Sequence, residues 1–298
     1  MLRMTVKCFL KPLFFVENSV VKSPPNSNRR AVIGHCKMTT TDKIITLARR
    51  YCSENFSFWA DKYSNEKSGN NNPYSDNDYN IFPRYNTLTA ILKGVEKIVG
   101  KSFDNIDQCK NELKSLGQDS QTPFTKGKQN EIEKKAIQDE RQKFIHFIDS
   151  ITDQQIETVE PLPYRRRLLE KEANEIREKL LEYWNFDGSY WEPLTSCSPK
   201  PFIFFTKDNL TDQDYEKIKK IIADRAENKI YEITEEQYDY LTDNSEFEPD
   251  CYETIYTDKN FDWIVYGSHE GTIAFGGAWL LTELDRQLSD KKELVNQW

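Results

Sequence analysis

Apolar and polar residues follow one pattern in the first half of this chain and a different pattern in the second half. In the first half, apolar residues recur every three or four positions, which places them on one face of a helix. This spacing predicts helices over residues 42–63, 88–99, 104–116 and 131–151. Gly117 is expected to end the third helix, because glycine is common just after a helix. Polar segments rich in asparagine, glycine and proline predict loops at 65–80 and 118–129.

The second half begins at Pro161-Leu162-Pro163, where two prolines stop a helix and extend the backbone. Short runs of aromatic and β-branched residues then alternate with helical patterns. The patterns predict helices over 165–184 and 211–227, and strands over 201–205, 230–233, 252–256, 262–266 and 272–275. We therefore predict an α+β protein with a helical part at 38–160. This part is expected to pack on a C-terminal part at 161–298, built of a small, mostly antiparallel sheet with flanking helices.

The stretch Asp262–Leu284 is the most structured unit that the pattern predicts. Two short strands flank the turn Gly267–Gly271, which predicts a hairpin. Gly276-Gly277 then ends the second strand, and Ala278 begins a helical pattern. Two interpretations fit the glycines. They allow a sharp turn into a helix packed on the sheet, which we favour, or their N–H groups bind an anion at the start of that helix.

Residues 1–37 differ from the rest, with seven basic residues and one acidic residue. The apolar run CFLKPLFFV is too short to cross a bilayer, which needs about 20 residues. The segment is expected to be a disordered basic extension, a targeting peptide, or a stretch that is not translated because the true start codon lies downstream. Met38 precedes a good helix N-cap run, Thr-Thr-Thr-Asp, and we favour Met38 as the first residue.

Charge and cysteine usage narrow the class of protein. The formal net charge is −8, and beyond residue 37 the chain has 34 basic and 48 acidic residues. Such an acidic body does not favour nucleic acid, whose phosphates are bound by Lys and Arg. The six cysteines are scattered without zinc-site spacing, which predicts reduced thiols in a soluble, cytoplasmic protein. The chain has only three histidines, which excludes a histidine-rich metal site. We predict no metal site, no cofactor and no membrane contact.

The segment 230–258 carries ten acidic residues, no Lys or Arg, and several tyrosines. Acidic groups attract a basic surface from a distance, and tyrosines supply rigid contact area. This pattern predicts a docking face for a basic protein. The residues expected to contact the partner are Glu235, Glu236, Tyr238, Asp239, Tyr240 and Tyr252. The other interpretation is a solvated loop and edge strand.

Two further features are candidates for chemistry. His269-Glu270 lies in the predicted hairpin turn, and an imidazole exchanges protons near neutral pH. Adjacent residues of a turn usually point apart, so His269 is alternatively a structural turn residue. Arg165-Arg166-Arg167 is the second feature. It would hold a phosphate or carboxylate, or pair with acidic residues of the same chain.

The hairpin, Gly276-Gly277 and the terminal helix, together with the earlier segments 162–166 and 187–194, resemble uncharacterised bacterial proteins of this size. The resemblance covers mainly residues 160–298. It implies a soluble, bacterial α+β protein, and no activity, cofactor or site residue.

Two function hypotheses follow. The first is a non-enzymatic interaction protein, of the immunity or antitoxin kind, that docks a basic partner through residues 231–256. The alternative is an enzyme or a binder of a small anionic ligand. It would use the His269-Glu270 turn, with Arg165–Arg167 or the Gly276-Gly277 helix start holding the anion. Neither hypothesis specifies an oligomeric state.

Overall fold

A computed structural model describes residues 38–66, 74–188, 191, 201–235 and 238–297. Residues 1–37 lie outside these ranges, and so do the predictions made for that segment. The described chain forms two compact units, and the division falls between Pro161 and Leu162. Residues 96–99 are an exception, because they belong to the second unit. The first unit is helical and the second contains an antiparallel sheet with helices, which confirms the predicted α+β class.

The helical unit contains the four helices that the first-half pattern predicts, with different bounds, and two short helices that it does not predict, one of them inside the predicted loop 118–129. They are α1 (Thr40–Glu66), α2 (Asp76–Val95), α3 (Ile106–Asp119), α4 (Pro123–Lys126), α5 (Glu131–Ser150) and α6 (Asp153–Thr158). Helix α5 starts at a capping box, in which the Asn130 side chain accepts the Glu133 N–H and the Glu133 carboxylate accepts the Asn130 N–H. Helix α2 begins earlier than predicted and includes Pro83, which would ordinarily indicate a helix end.

The prediction that Gly117 ends α3 is wrong, because the helix continues to Asp119. Gly117 lies inside α3 where the ring of Phe144, on α5, approaches it closely. A Cβ atom on Gly117 would be 2.6 Å from Cδ1 of Phe144. This glycine therefore serves helix packing rather than helix termination.

The second unit contains one antiparallel sheet of seven strands in the order β1-β4-β3-β5-β6-β7-β2. The strands are β1 (Arg165–Arg167), β2 (Phe202–Thr206), β3 (Lys229–Thr234), β4 (Tyr240–Asp243), β5 (Thr254–Thr257), β6 (Ile264–Gly267) and β7 (Thr272–Gly276). The helices are α7 (Glu170–Trp184), α8 (Asp212–Arg225) and α9 (Ala278–Gln287). All five predicted strands are present, whereas β1 and β4 were not predicted.

The prediction that Arg165–Arg167 opens a helix is wrong. These residues form edge strand β1, with Arg165 paired to Thr242 of β4, and α7 begins only at Glu170. In a strand, successive side chains point to opposite faces. Arg165 and Arg166 consequently reach different partners, described below. The segment has the apolar spacing of a helix, but it forms a strand because it pairs with β4.

Both faces of the sheet are covered, which explains why β5, β6 and β7 are buried along their whole length. Ile264 and Tyr266 share a cluster with Leu180 and Trp184 of α7. Val265, between them, belongs instead to a cluster that includes core residues of α8 and α9. Strand alternation thus divides the unit into a helix–sheet–helix arrangement with two cores.

The cysteines that the structure describes agree with the prediction of reduced thiols. Cys52, Cys109 and Cys251 are buried and are not disulfide-bonded. The other three, Cys8, Cys36 and Cys197, lie outside the described residues.

Of the helices in the described part of the chain, none has the length and apolar character that crossing a bilayer requires.

Asp214, the third residue of α8, joins the start of that helix to the C-terminal segment. Its carboxylate accepts hydrogen bonds from the N–H and the hydroxyl of Thr211, at 3.0 and 2.8 Å. Lys217 and Lys291 lie 3.2 and 3.5 Å from its oxygens. Burial by itself would raise the pKa of Asp214, but these hydrogen bonds and charges lower it to about 2.

We expect Asp214→Asn to lower the free energy of unfolding by about 2 kcal/mol at pH 6. The folded-state pKa lies below that of the unfolded chain, so this stabilisation is present above about pH 4 and is lost as the pH falls toward 2. Urea unfolding of both proteins between pH 6 and pH 2.5 checks the prediction. The control is Asp285→Asn, which alters an exposed pair with Lys292 and should change little. A difference that stays constant over this pH range would contradict it.

Candidate functional site

The residues predicted to contact a basic partner are placed very differently from one another. Asp239 is only 6% exposed, and its carboxylate accepts two hydrogen bonds from the guanidinium of Arg177, at 2.9 and 2.7 Å. Tyr240 is equally buried, with the Arg165 guanidinium 3.8 Å from its ring centroid. A partner on the surface would touch neither residue, so the face open to docking is narrower than predicted.

The other predicted contact residues divide into three groups. The ring of Tyr238 is covered by the guanidinium of Arg167, 3.1 Å from the ring centroid. Glu236 lies outside the described residues. Tyr252 is 47% exposed, and Glu235 is partly buried in the arrangement described below. Of the predicted contacts that the structure describes, Tyr252 is therefore the one that a partner can reach most readily.

The predicted anion-binding arginines are held by carboxylates of their own chain. Arg165 makes a bidentate pair with Glu232 on β3 and lies 3.6 Å from Glu96. Burial alone would lower the pKa of Arg165, but the charges of Glu232 and Glu96 raise it. Arg166 makes a bidentate pair with Glu172 on α7, at 2.8 and 2.9 Å. An external anion would have to displace these partners.

Gly276 and Gly277 are surrounded by atoms that leave no room for a side chain. A Cβ atom on Gly276 would be 2.5 Å from the Phe202 ring and 2.8 Å from the Trp184 ring. Gly277 has a φ of 110°, and a Cβ atom there would be 2.5 Å from the backbone oxygen of Asp262. The packing interpretation therefore accounts for both glycines. They also lie at the far end of β7 from the His269 turn, about 13 Å along the strand.

Three side chains meet at the other end of the sheet, and we call Glu235, Glu253 and His269 the sheet-end cluster. Thr234, Thr254 and Gly267 are aligned across β3, β5 and β6. Glu235 follows Thr234, Glu253 precedes Thr254, and His269 comes two residues after Gly267. All three therefore lie beyond the same end of these strands. One potential ligand atom from each member of the cluster lies within 4.8 Å of the others.

The geometry within the sheet-end cluster is specific. Nδ1 of His269 lies 3.2 Å from Oε1 of Glu253. The backbone N–H of Glu235 donates to the Glu253 carbonyl oxygen at 3.1 Å, which continues the β3–β5 pairing by one step. Glu253 has a positive φ of 46°, a conformation that is uncommon outside glycine. The carboxylate next to His269 in space is therefore Glu253.

A buried tyrosine supports the cluster from below. The hydroxyl of Tyr266 donates to Oε1 of Glu235 at 2.6 Å. Burial and the hydrogen bond to Glu235 both raise the pKa of Tyr266. The phenol consequently stays protonated at neutral pH and holds the Glu235 carboxylate in one orientation.

Ser268 and Glu270 complete the turn without joining the cluster. The hydroxyl of Ser268 accepts the N–H of Glu270 at 3.0 Å, and the Ser268 N–H donates to the Thr272 carbonyl oxygen at 2.9 Å. Glu270 is exposed, and it was the predicted catalytic partner of His269. Sequence reasoning missed Glu253 because its proximity to His269 depends on the alignment of β5 with β6.

The exposed side of this region forms a surface that we call the turn surface: Asp250, Tyr252, Glu253, His269 and Glu270. The Tyr252 and His269 ring centroids are 6.4 Å apart. The side chain of Asp250 is 63% exposed and lies 3.1 Å from Nζ of Lys207. The turn surface thus combines an exposed tyrosine with three carboxylates and an imidazole.

A cleft of about 380 Å³ lies elsewhere in the second unit, and His269 does not line it. Its walls include Arg225, Asp258, Asp262 and Trp279. Glu270 does not line it either, so this cleft does not bring His269, Glu270 and an arginine together.

The negative charge of the chain is concentrated in its second half. Residues 162–298 include 29 acidic and 17 basic residues, a larger negative balance than the net −8 of the whole chain. The unit that carries the turn surface is therefore the acidic part of the protein, and its field favours a basic partner over an acidic one.

Comparison of the chain with protein-family models, with curated proteins and with solved structures found no match.

Proposed function

We propose that this protein docks a basic protein partner through the turn surface, in the manner of an immunity protein or antitoxin. The observation that carries the proposal is the exposed side chain of Tyr252, which lies between Asp250 and Glu253 in the sequence, on the acidic half of the chain. An exposed tyrosine gives contact area at a low entropic cost, and flanking acidic groups increase the rate of encounter with a basic surface.

The buried residues of the original docking segment support the proposal indirectly. Arg177 is bound to Asp239 and to the carbonyl oxygen of Thr234, so α7 is tied to the end of β3 next to Glu235. Such ties reduce the freedom of the turn surface before binding. A preordered surface loses less entropy when it binds.

Charge reversal at Asp239 is consequently a poor test of docking. A lysine there would face Arg177 in a buried position and would destabilise the unit. Substitutions at exposed positions of the turn surface are better tests, because they change the binding surface without destabilising the fold.

We expect the double substitution Tyr252→Ala with Glu270→Lys to weaken binding of a basic partner by about 30-fold, near 2 kcal/mol. Partners would be captured from a cell extract with the full chain, purified, and titrated by calorimetry against each variant. Wild-type affinity should fall as the salt concentration rises, because the attraction is screened.

The matched control is Glu182→Lys. Glu182 is exposed on α7, next to Tyr183. The ring of Tyr183 lies near Phe261, which precedes β6, whereas the His269 turn follows β6. This control should bind like the wild type. The proposal fails if the captured proteins include no basic one, or if the control weakens binding as much as the double substitution.

The alternative hypothesis, a binder of small anions, has less support. Arg165 and Arg166 are paired with acidic residues, and Gly276-Gly277 lies at the opposite end of β7 from His269. What remains of the alternative is an imidazole beside the Glu253 carboxylate, which favours a cation over an anion.

A further inference from the structure

We propose that the sheet-end cluster binds a divalent transition-metal ion, with Zn²⁺ as the reference ion, through His269, Glu253 and Glu235. The observation is the convergence of an imidazole nitrogen and two carboxylates from three separate chain segments. This site goes beyond docking, and it requires no partner protein.

The spacing of the donor atoms suits a metal ion. Zinc bonds of about 2.0–2.2 Å place two ligands of a tetrahedral site about 3.4 Å apart. Nδ1 of His269 and Oε1 of Glu253 are separated by 3.2 Å, and the three donors lie within 4.8 Å of one another. Binding would require rotation of the Glu235 or His269 side chain, so that all three donors reach bonding distance of one centre.

The cluster also has the outer support that metal sites use. Tyr266 orients Glu235 through its buried hydroxyl, as hydrogen-bond donors outside a metal site orient its ligands. The backbone hydrogen bond between Glu235 and Glu253 fixes the separation of the two chain segments that carry the carboxylates. Two of the three ligands are therefore positioned before the ion arrives.

The donor types select the class of ion. An imidazole with two carboxylates suits Zn²⁺, Mn²⁺, Fe²⁺, Co²⁺ or Ni²⁺, whereas Mg²⁺ and Ca²⁺ favour sites made only of oxygen. Three protein ligands leave at least one coordination position for water or another group. The His269 side chain is 39% exposed, so an ion can reach the cluster from solvent.

Titration of the metal-free full chain with Zn²⁺ by calorimetry, and with Co²⁺ by visible absorption, tests the proposal. We expect one ion per chain, a micromolar or tighter Kd for Zn²⁺, and Co²⁺ bands of four- or five-coordination. His269→Ala, Glu253→Gln and Glu235→Gln should each weaken binding at least tenfold, within the range for loss of a ligand or its support. His269→Cys should restore Co²⁺ binding with a new sulfur-to-cobalt charge-transfer band.

Matched controls separate the site from other histidines and acids. The double substitution His35→Ala with His146→Ala leaves His269 as the remaining histidine, and Glu270→Gln removes the neighbouring carboxylate. Both proteins should bind the ion like the wild type. Millimolar affinity, or loss of binding in the double substitution but not in His269→Ala, would overturn the proposal.

The melting temperature of each metal-free variant shows whether it is folded. His269 is on an exposed turn, so its substitution should leave folding intact, and a change in ion affinity then reports on the site. Because no partner is present in these titrations, their failure would leave the docking proposal standing, and a failure of docking would leave the metal site standing.

Discussion

Replacing Trp263 with alanine is expected to lower the free energy of unfolding of the sheet unit by about 4 kcal/mol. Trp263 is fully buried between Asp262 and β6, in the core cluster shared with α8 and α9. Its indole N–H donates to the buried carboxylate of Asp258 at 2.8 Å. Truncation would leave a cavity and remove a donor from a buried charged group. Far-UV circular dichroism during urea unfolding measures the effect.

Trp279→Ala is the matched control. Trp279 lies at the start of α9, where it is only partly buried and packs its ring against Trp263 from the edge of the core. We expect a loss of about 1–2 kcal/mol, because less apolar area is buried there. Equal losses for the two substitutions would contradict the assignment of Trp263 as the central residue.

The second large effect is expected in the helical unit, where Arg84→Met should cost about 3 kcal/mol. The Arg84 guanidinium donates to Oε1 of Glu140 at 2.9 Å, and Glu140 is completely inaccessible to solvent. Removal of Arg84 leaves a buried carboxylate with Lys143, at 2.8 Å, as a charged neighbour. The remaining lysine makes the expected loss smaller than that of an unpaired charge.

A double substitution distinguishes the charge effect from lost packing. Arg84→Met with Glu140→Leu removes both charges, and most of the stability should return, because apolar replacements of a buried pair are often neutral. Lys114→Met, which breaks an exposed pair with Asp149, should cost less than about 1 kcal/mol. If the double substitution is as unstable as Arg84→Met alone, the loss comes from packing around Trp59, whose ring centroid lies 4.9 Å from the guanidinium.

The proposed docking and metal-binding roles share Glu253 and His269, and this overlap has a consequence. A bound divalent ion would neutralise the carboxylates of Glu235 and Glu253, so it would reduce the acidic character of the turn surface. Tyr252 and Glu270 lie outside the ligand set, which is why they are the positions chosen for testing docking.

The hairpin and terminal helix could be predicted from the sequence, and so could the α+β class. Aromatic and β-branched residues on both sides of Gly267–Gly271 determine two paired strands, and the pattern after Ala278 determines a helix. The capping residue Thr211 likewise determines the start of α8. These features depend on residues a few positions apart, and local sequence contains that information.

The residues of the candidate site are brought together only by the tertiary structure. Glu253 and His269 lie on either side of β5 and β6 in the sequence, and they meet because β5, β6 and β7 pair in one alignment. The same is true of Asp239 with Arg177, and of Arg165 with Glu232. An acidic residue looks the same in a sequence whether it faces solvent or a buried arginine. Strand order and alignment bring the opposite charges together, and these arise only when the sheet is assembled.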